Sequence, residues 1–156
     1  MNSYDKNGTK GKFFATIDGK LVNLKPNLYW QDETCTIHGT TIDDGSDQYY
    51  TLRINFPTTL TGSHEFGKNG LTGLALLMST DGPSIAGGWI KGGHFTLGKS
   101  NPRTANFEGV FSGVAGSRED GDTLLEIKDG AFDLQGISQG ALPEVAEPTR
   151  RQKQKS

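Results

Sequence analysis

The chain has 156 residues and a formal net charge of −2, which is enough length for one domain with its own core. Its mildly acidic balance gives no electrostatic reason to bind nucleic acid. Hydrophobic residues make up only 33% of the chain, whereas 22 residues are glycine. Because glycine weakens helices and serves turns and bulges, this composition favours β structure with many turns over a helical protein.

Apolar and polar residues alternate along most of the chain, as they do in half-buried antiparallel strands. The clearest example is 49–56, in which every second residue from Tyr50 to Phe56 is apolar or aromatic. Segment 71–78 is mainly apolar at both its odd- and its even-numbered positions, and it fits either a strand buried on both faces or a short helix. The predicted strands are 12–17, 20–24, a third stretch made of 28–30 and 34–38, 49–56, 61–66, 71–78, 85–97, 105–114, 124–127 and 131–134.

Turn residues separate these strands. Asp18-Gly19 predicts a two-residue hairpin turn, Pro26-Asn27 predicts a break, and 128–130 predicts a turn between the last two strands. The glycine pairs at 87–88 and 92–93 fall inside one long strand, where they predict bulges or sharp bends.

The pattern as a whole predicts an all-β protein. About eight to ten strands follow one another with turns every 8–12 residues, and no helical pattern alternates with them. We therefore expect a single antiparallel β-sandwich, jelly-roll-like, or a closed β-barrel at 11–137. A flexible lead at 1–10 precedes this domain, and a disordered polar tail at 138–156 with a basic end follows it.

The two ends of this predicted domain resemble small bacterial all-β domains of uncharacterised function. The similarity rests on Phe-x-Ala-Thr-Ile-Asp-Gly-Lys at 13–20, Gly-x-Phe-x-Gly at 109–113 and Ile-x-x-Gly-x-Phe at 127–132. The resemblance implies an antiparallel β fold and a bacterial origin. It implies no catalytic residues, because the shared positions are turn and core positions.

The expected cellular setting follows from three features. Residues 1–8 are polar and lack the apolar segment of a secretory signal peptide. The longest apolar run, 74–78, is far shorter than the ~18 residues of a membrane helix. Cys35 is the only cysteine, so the chain can form no internal disulfide. We expect a cytoplasmic protein with no membrane partner, and export without a cleaved signal stays open.

The titratable residues form no catalytic or metal-binding motif in the sequence. His38, His64 and His94 are widely spaced, so a metal site would need them to converge from separate strands, with Glu65 or Cys35 added. Cys35 and His38 lie three residues apart and face opposite sides of a regular strand, which favours a buried thiol over a Cys/His nucleophile.

Two acidic loops carry oxygen ligands of the kind that Ca²⁺ prefers. Neither loop has the spacing of an EF-hand, and aspartate is equally typical of solvated turns. We expect no cofactor, with Ca²⁺ at these loops as the alternative. The loop residues are Asp43, Asp44, Asp47, Glu119, Asp120 and Asp122.

Aromatic residues supply the candidate ligand-binding positions. Trp89, Lys91 and His94 share one predicted strand and form a polar–aromatic group. Trp30 and Tyr49 belong to adjacent aromatic pairs, of which one member faces outward on a regular strand. We take these five residues as candidate ligand contacts, with packing of Trp89 in the core as the alternative.

These observations favour a binding module over an enzyme. The first hypothesis is a non-enzymatic protein-interaction domain, a homodimer being possible, whose segment 85–97 pairs with a partner strand at a sheet edge. The second is a carbohydrate or small-ligand binding module. A hydrolytic enzyme is the third, and nucleic acid is not an expected partner.

Overall fold

The computed structural model describes residues 8–41, 47–82 and 84–138. The predicted tail beyond Ser138 and most of the predicted lead lie outside the described residues. Within them the protein is all-β, as predicted, with one 3-10 turn (Arg118–Asp120) and no α-helix. The strands are β1 (Lys10–Ile17), β2 (Lys20–Asn23), β3 (Lys25–Gln31), β4 (Thr34–Thr40), β5 (Gln48–Pro57), β6 (Gly62–Phe66), β7 (Thr72–Ser79), β8 (Ser84–Asn101), β9 (Asn106–Ala115) and β10 (Leu125–Gln135).

The ten strands form one antiparallel sheet that curls into a nearly closed barrel. Their order is β2-β1-β10-β9-β8-β7-β5-β4-β3, and β6 pairs with β8 outside this path. The strands at the two ends of the order, β2 and β3, are consecutive in the chain and meet at Leu24, whose N–H donates to the Phe13 carbonyl at 2.8 Å. The predicted break at Pro26 therefore falls two residues earlier, and Pro26 lies inside β3.

Hydrogen bonds from the two ends of the described domain complete the closure at β3. Thr9 Oγ1 accepts from the Leu28 N–H at 2.8 Å. Ser138 donates its own N–H to the Leu28 carbonyl and its hydroxyl to Asn27 Oδ1, each at 2.8 Å. Residues that adjoin β1 and β10 are thus hydrogen-bonded to the edge strand β3.

The long strand β8 has a bulge at its second glycine pair, as predicted, whereas the first pair, 87–88, pairs with β7 without a register shift. Its first part pairs with β7 and its second part with β9, and the register shifts between Lys91 and His94. Gly92 and Gly93 both have φ of 63°, a conformation that favours glycine. Because β8 has neighbours on both sides, the prediction that 85–97 forms a free sheet edge is wrong.

The register decides between the two alternatives for one segment and corrects the prediction for another. Segment 71–78 is the strand β7 rather than a helix, because it is hydrogen-bonded to β5 and β8. Segment 128–130 is not a turn between two strands but a bulge within the continuous strand β10, where the register shifts between Ile127 and Gly130. The hairpin turn at Asp18-Gly19 is confirmed by φ values of 51° and 82°.

Phenylalanine rings fill the inside of the barrel. Seven of the eight phenylalanines are buried, and only Phe14 faces outward. Phe95 lies at the centre of this group, with ring centroids 5.5–6.0 Å from those of Phe56, Phe66 and Phe132. Such ring pairs add to the free energy gained by burial, so the core connects β5, β6, β8 and β10 through direct contacts.

No helix among the described residues is both long enough and apolar enough to cross a membrane.

Replacing Gly130 tests the bulge in β10. A Cβ atom there would lie 2.4 Å from the buried Phe111 ring, so Gly130→Ala is expected to reduce the free energy of unfolding by about 1–3 kcal/mol. Gly98→Ala is the matched control, because its Cβ would meet only the Glu108 carbonyl oxygen at 3.7 Å. Urea denaturation of both variants measures the difference in the free energy of unfolding. Equal stabilities would show that the Phe111 ring does not pack closely against Gly130.

Candidate functional site

The three histidines do not converge. His38 lies on β4, His64 on β6 and His94 on β8. His64 is held locally, with Nε2 2.7 Å from the Thr61 carbonyl oxygen and Nδ1 3.0 Å from Asn69 Nδ2. Across residues 8–41, 47–82 and 84–138 no group of three or more His, Cys, Asp or Glu side chains is arranged to hold a metal ion.

Cys35 is a core residue. It is fully buried, and burial raises the pKa of its thiol to about 12, so the nucleophilic thiolate is strongly disfavoured at neutral pH. His38 lies on the opposite face of β4, as predicted, and its Nδ1 accepts a hydrogen bond from Arg53 Nε at 3.3 Å. The Cys/His pair therefore has no contact through which a base could activate the thiol.

The acidic loops are only partly within the described residues. Asp43 and Asp44 lie outside them. In the second loop the Asp122 carboxylate accepts a hydrogen bond from the Ser117 N–H at 2.9 Å, which fixes the turn around Arg118–Asp120. Calcium at the first loop stays an untested alternative, and the described residues of the second loop form no group of three or more acidic side chains arranged to hold a metal ion.

The five candidate ligand contacts lie at three separate places. Trp89, Lys91 and His94 face outward along β8, and Trp89 is half-buried opposite Leu74 rather than packed in the core. Trp30 is 40% exposed at the end of β3, and Tyr49 lies half-buried on β5 opposite Met78. Trp30 and Tyr49 therefore do not join the group on β8.

Two adjoining hollows lie on the outer face of β1, β10, β9 and β8, and Val110 borders both. The apolar hollow has a volume of about 270 Å³ and is formed mainly by Lys12, Phe14, Glu108, Val110, Ala131 and Asp133. The polar hollow has a volume of about 390 Å³ and is formed mainly by His94, Thr96, Val110, Ser112, Asp129 and Ala131. Of the five candidate contacts, His94 is the one that lines a hollow.

The register of three strands brings the polar side chains together. His94 on β8 pairs directly with Ser112 on β9, and the bulge in β10 sets Lys128 and Asp129 opposite the same serine. Ser112 and Asp129 were not among the sequence candidates. Strand alternation places Ser112 outward, but the sequence does not show which strands are neighbours or that 128–130 is a bulge.

The order of these residues does not match a catalytic triad. In a Ser-His-Asp triad the histidine contacts both the serine and the carboxylate. Here Ser112 lies on the strand between those of His94 and Asp129, and no hydrogen bond joins any two of the three within the described chain. The arrangement supplies hydrogen-bonding groups to the surface rather than an activated nucleophile.

Glu65 and Lys68 lie near the β8 side of the polar hollow. Their side chains form an ion pair at 2.8 Å, and this hydrogen bond and charge hold the pKa of Glu65 below its ordinary value. His94 acts on Glu65 in the same direction more weakly. The Glu65 carboxylate is thus already engaged by a neighbour.

Comparisons of this chain with protein-family models, with curated proteins and with solved structures find no match.

His38 makes stability depend on pH. Burial, and secondly the charge of Arg53, lower the pKa of His38 from 6.5 to about 4. Between those pH values the unfolded chain binds a proton at His38 that the folded protein does not bind. The contribution of His38 to the free energy of unfolding is therefore fully present above pH 6.5 and is lost as the pH falls towards 4. This shift corresponds to a loss of about 3 kcal/mol.

The variant His38→Asn offers Arg53 an acceptor oxygen but does not titrate. Urea denaturation of wild type and variant from pH 7.5 to about pH 4 is expected to show a smaller loss of stability for the variant below pH 6.5. Parallel curves for the two proteins would contradict the assignment.

Proposed function

We propose that this protein is a non-enzymatic binding module that contacts another protein through the outer face of β1, β10, β9 and β8. The observation that carries the proposal is Val110, which is 54% exposed at the centre of this face and borders both hollows. An exposed apolar patch with a polar rim is typical of an interaction surface, and Val110 forms such a patch together with Phe14 and Ala131 of the apolar hollow.

The apolar hollow has the anatomy of a small interaction site. Phe14, Val110 and Ala131 form an apolar floor, and Lys12, Glu108 and Asp133 stand around it. Its volume of about 270 Å³ is enough to receive a single side chain of a partner. An apolar centre with a charged rim is the usual arrangement in protein interfaces.

The setting expected from the sequence, a bacterial cytoplasm, belongs to this proposal, and a homodimer is its alternative. A protein partner is favoured over a second copy because cross-strand neighbours on this face run Lys12, Asp133, Glu108, Lys99. This row is positive at both ends and negative in the middle. When two copies pack with these rows face to face, like charges therefore meet.

Peptides selected from a random display library on immobilised wild-type protein test the proposal. We expect the enriched peptides to carry an apolar anchor residue, and Val110→Glu to weaken their binding by about tenfold or more. Val114→Glu is the matched control, because Val114 is 37% exposed on the same strand and borders neither hollow. Thermal unfolding checks that both variants fold, and equal binding to both would refute the proposed surface.

A further inference from the structure

The polar hollow gathers side chains that make no hydrogen bond or ion pair within the described chain. His94, Ser112 and Asp129 come from β8, β9 and β10 and line the same hollow. None of the three makes a hydrogen bond or ion pair with another residue of 8–41, 47–82 or 84–138. An imidazole, a hydroxyl and a carboxylate are therefore all available to a ligand at one place.

Two β-bulges position these groups. In β8, Gly92 and Gly93 together oppose Gly113, which sets His94 beside Ser112. In β10, Asp129 adopts a φ of 52°, and it opposes Ser112 together with Lys128. Bulges re-aim side chains and are enriched next to ligand sites, and here one lies on each side of β9 at the same level.

The base of the hollow is apolar. Phe111 and Gly130 belong to its lining, and on the inner side of the sheet the buried ring of Phe111 packs against Gly130, where a Cβ would lie 2.4 Å from that ring. Val110 and Ala131 form the apolar wall on the side of the apolar hollow. A ligand at this site meets carbon below and hydrogen-bonding groups at the edge.

We propose that the polar hollow binds a saccharide unit, with the ring's C–H face on Val110 and Ala131 and its neighbouring hydroxyl groups on Asp129, Ser112 and His94. A carboxylate accepts two hydroxyl hydrogen bonds, and such charge-assisted bonds are the stronger kind. The volume of about 390 Å³ falls in the range of small-molecule sites. Asp129 disfavours an anionic ligand such as phosphate, because like charges would meet in the hollow.

This site differs from the proposed protein contact, although the two share Thr96, Val110 and Ala131. Binding of a saccharide in the polar hollow therefore does not depend on a protein partner at the apolar hollow. A bound sugar and a partner seated on Val110 would compete for the same face.

A titration of the full chain followed by amide NMR tests the inference. The ligands are methyl glycosides of glucose, galactose and mannose, added to about 50 mM so that weak binding, with a dissociation constant in the millimolar range, is detected. We expect at least one glycoside to shift the amides around His94, Ser112 and Asp129. Sorbitol, which has no ring, and inorganic phosphate are expected to leave them unchanged.

Asp129→Asn then tests the assigned contact, because asparagine also tolerates positive φ and removes only the charge. We expect it to weaken glycoside binding by about tenfold, and Ser112→Ala to weaken it by a smaller factor. Asp133→Asn, on the same strand but lining only the apolar hollow, is expected to bind as wild type does.

The inference is wrong if no glycoside shifts these amides, or if Asp129→Asn and Asp133→Asn bind equally well. Either result leaves the proposed protein contact standing as long as Val110→Glu and Val114→Glu differ in peptide binding. Loss of that difference with glycoside binding intact would instead remove the protein contact alone.

Discussion

Packing of phenylalanine rings inside the barrel is the interaction on which the rest of the structure depends. Phe95 contacts rings from β5, β6 and β10, so one cluster connects strands on both sides of the bend in β8. Burial of such large apolar side chains is the main source of stability in a domain of this size. Because glycine is frequent elsewhere in the chain, these rings supply much of the bulk that the core needs.

The filled interior also determines where recognition can occur. Many barrels bind ligands inside, but here the axis is occupied by side chains, and the two hollows lie on the outer face. Core and surface meet at Gly130, which lines the polar hollow and packs against the ring of the buried Phe111 on the inner side of the sheet. The shape of the outer face is therefore set from within.

Much of the fold could be predicted from the sequence, because alternation and turn residues act locally. The strand β5 and the hairpin at Asp18-Gly19 are of this kind. Bulges and strand neighbours depend on the register between distant segments, so the sequence pattern alone predicts a turn at 128–130 and a sheet edge at 85–97. The same limit applies to the site: His94 stood out in the sequence, but Ser112 and Asp129 become its neighbours only through the order β8-β9-β10.

A crystal structure determined under xenon pressure tests most directly whether the interior is closed to ligands. Xenon enters dry apolar cavities larger than a few atoms. The packing of Phe56, Phe95 and Phe132 predicts no xenon atom among these rings, and the apolar hollow beside Phe14 and Val110 is the expected site of xenon binding. Xenon inside the barrel would contradict this account, because an internal cavity would then compete with the outer face as the place of recognition.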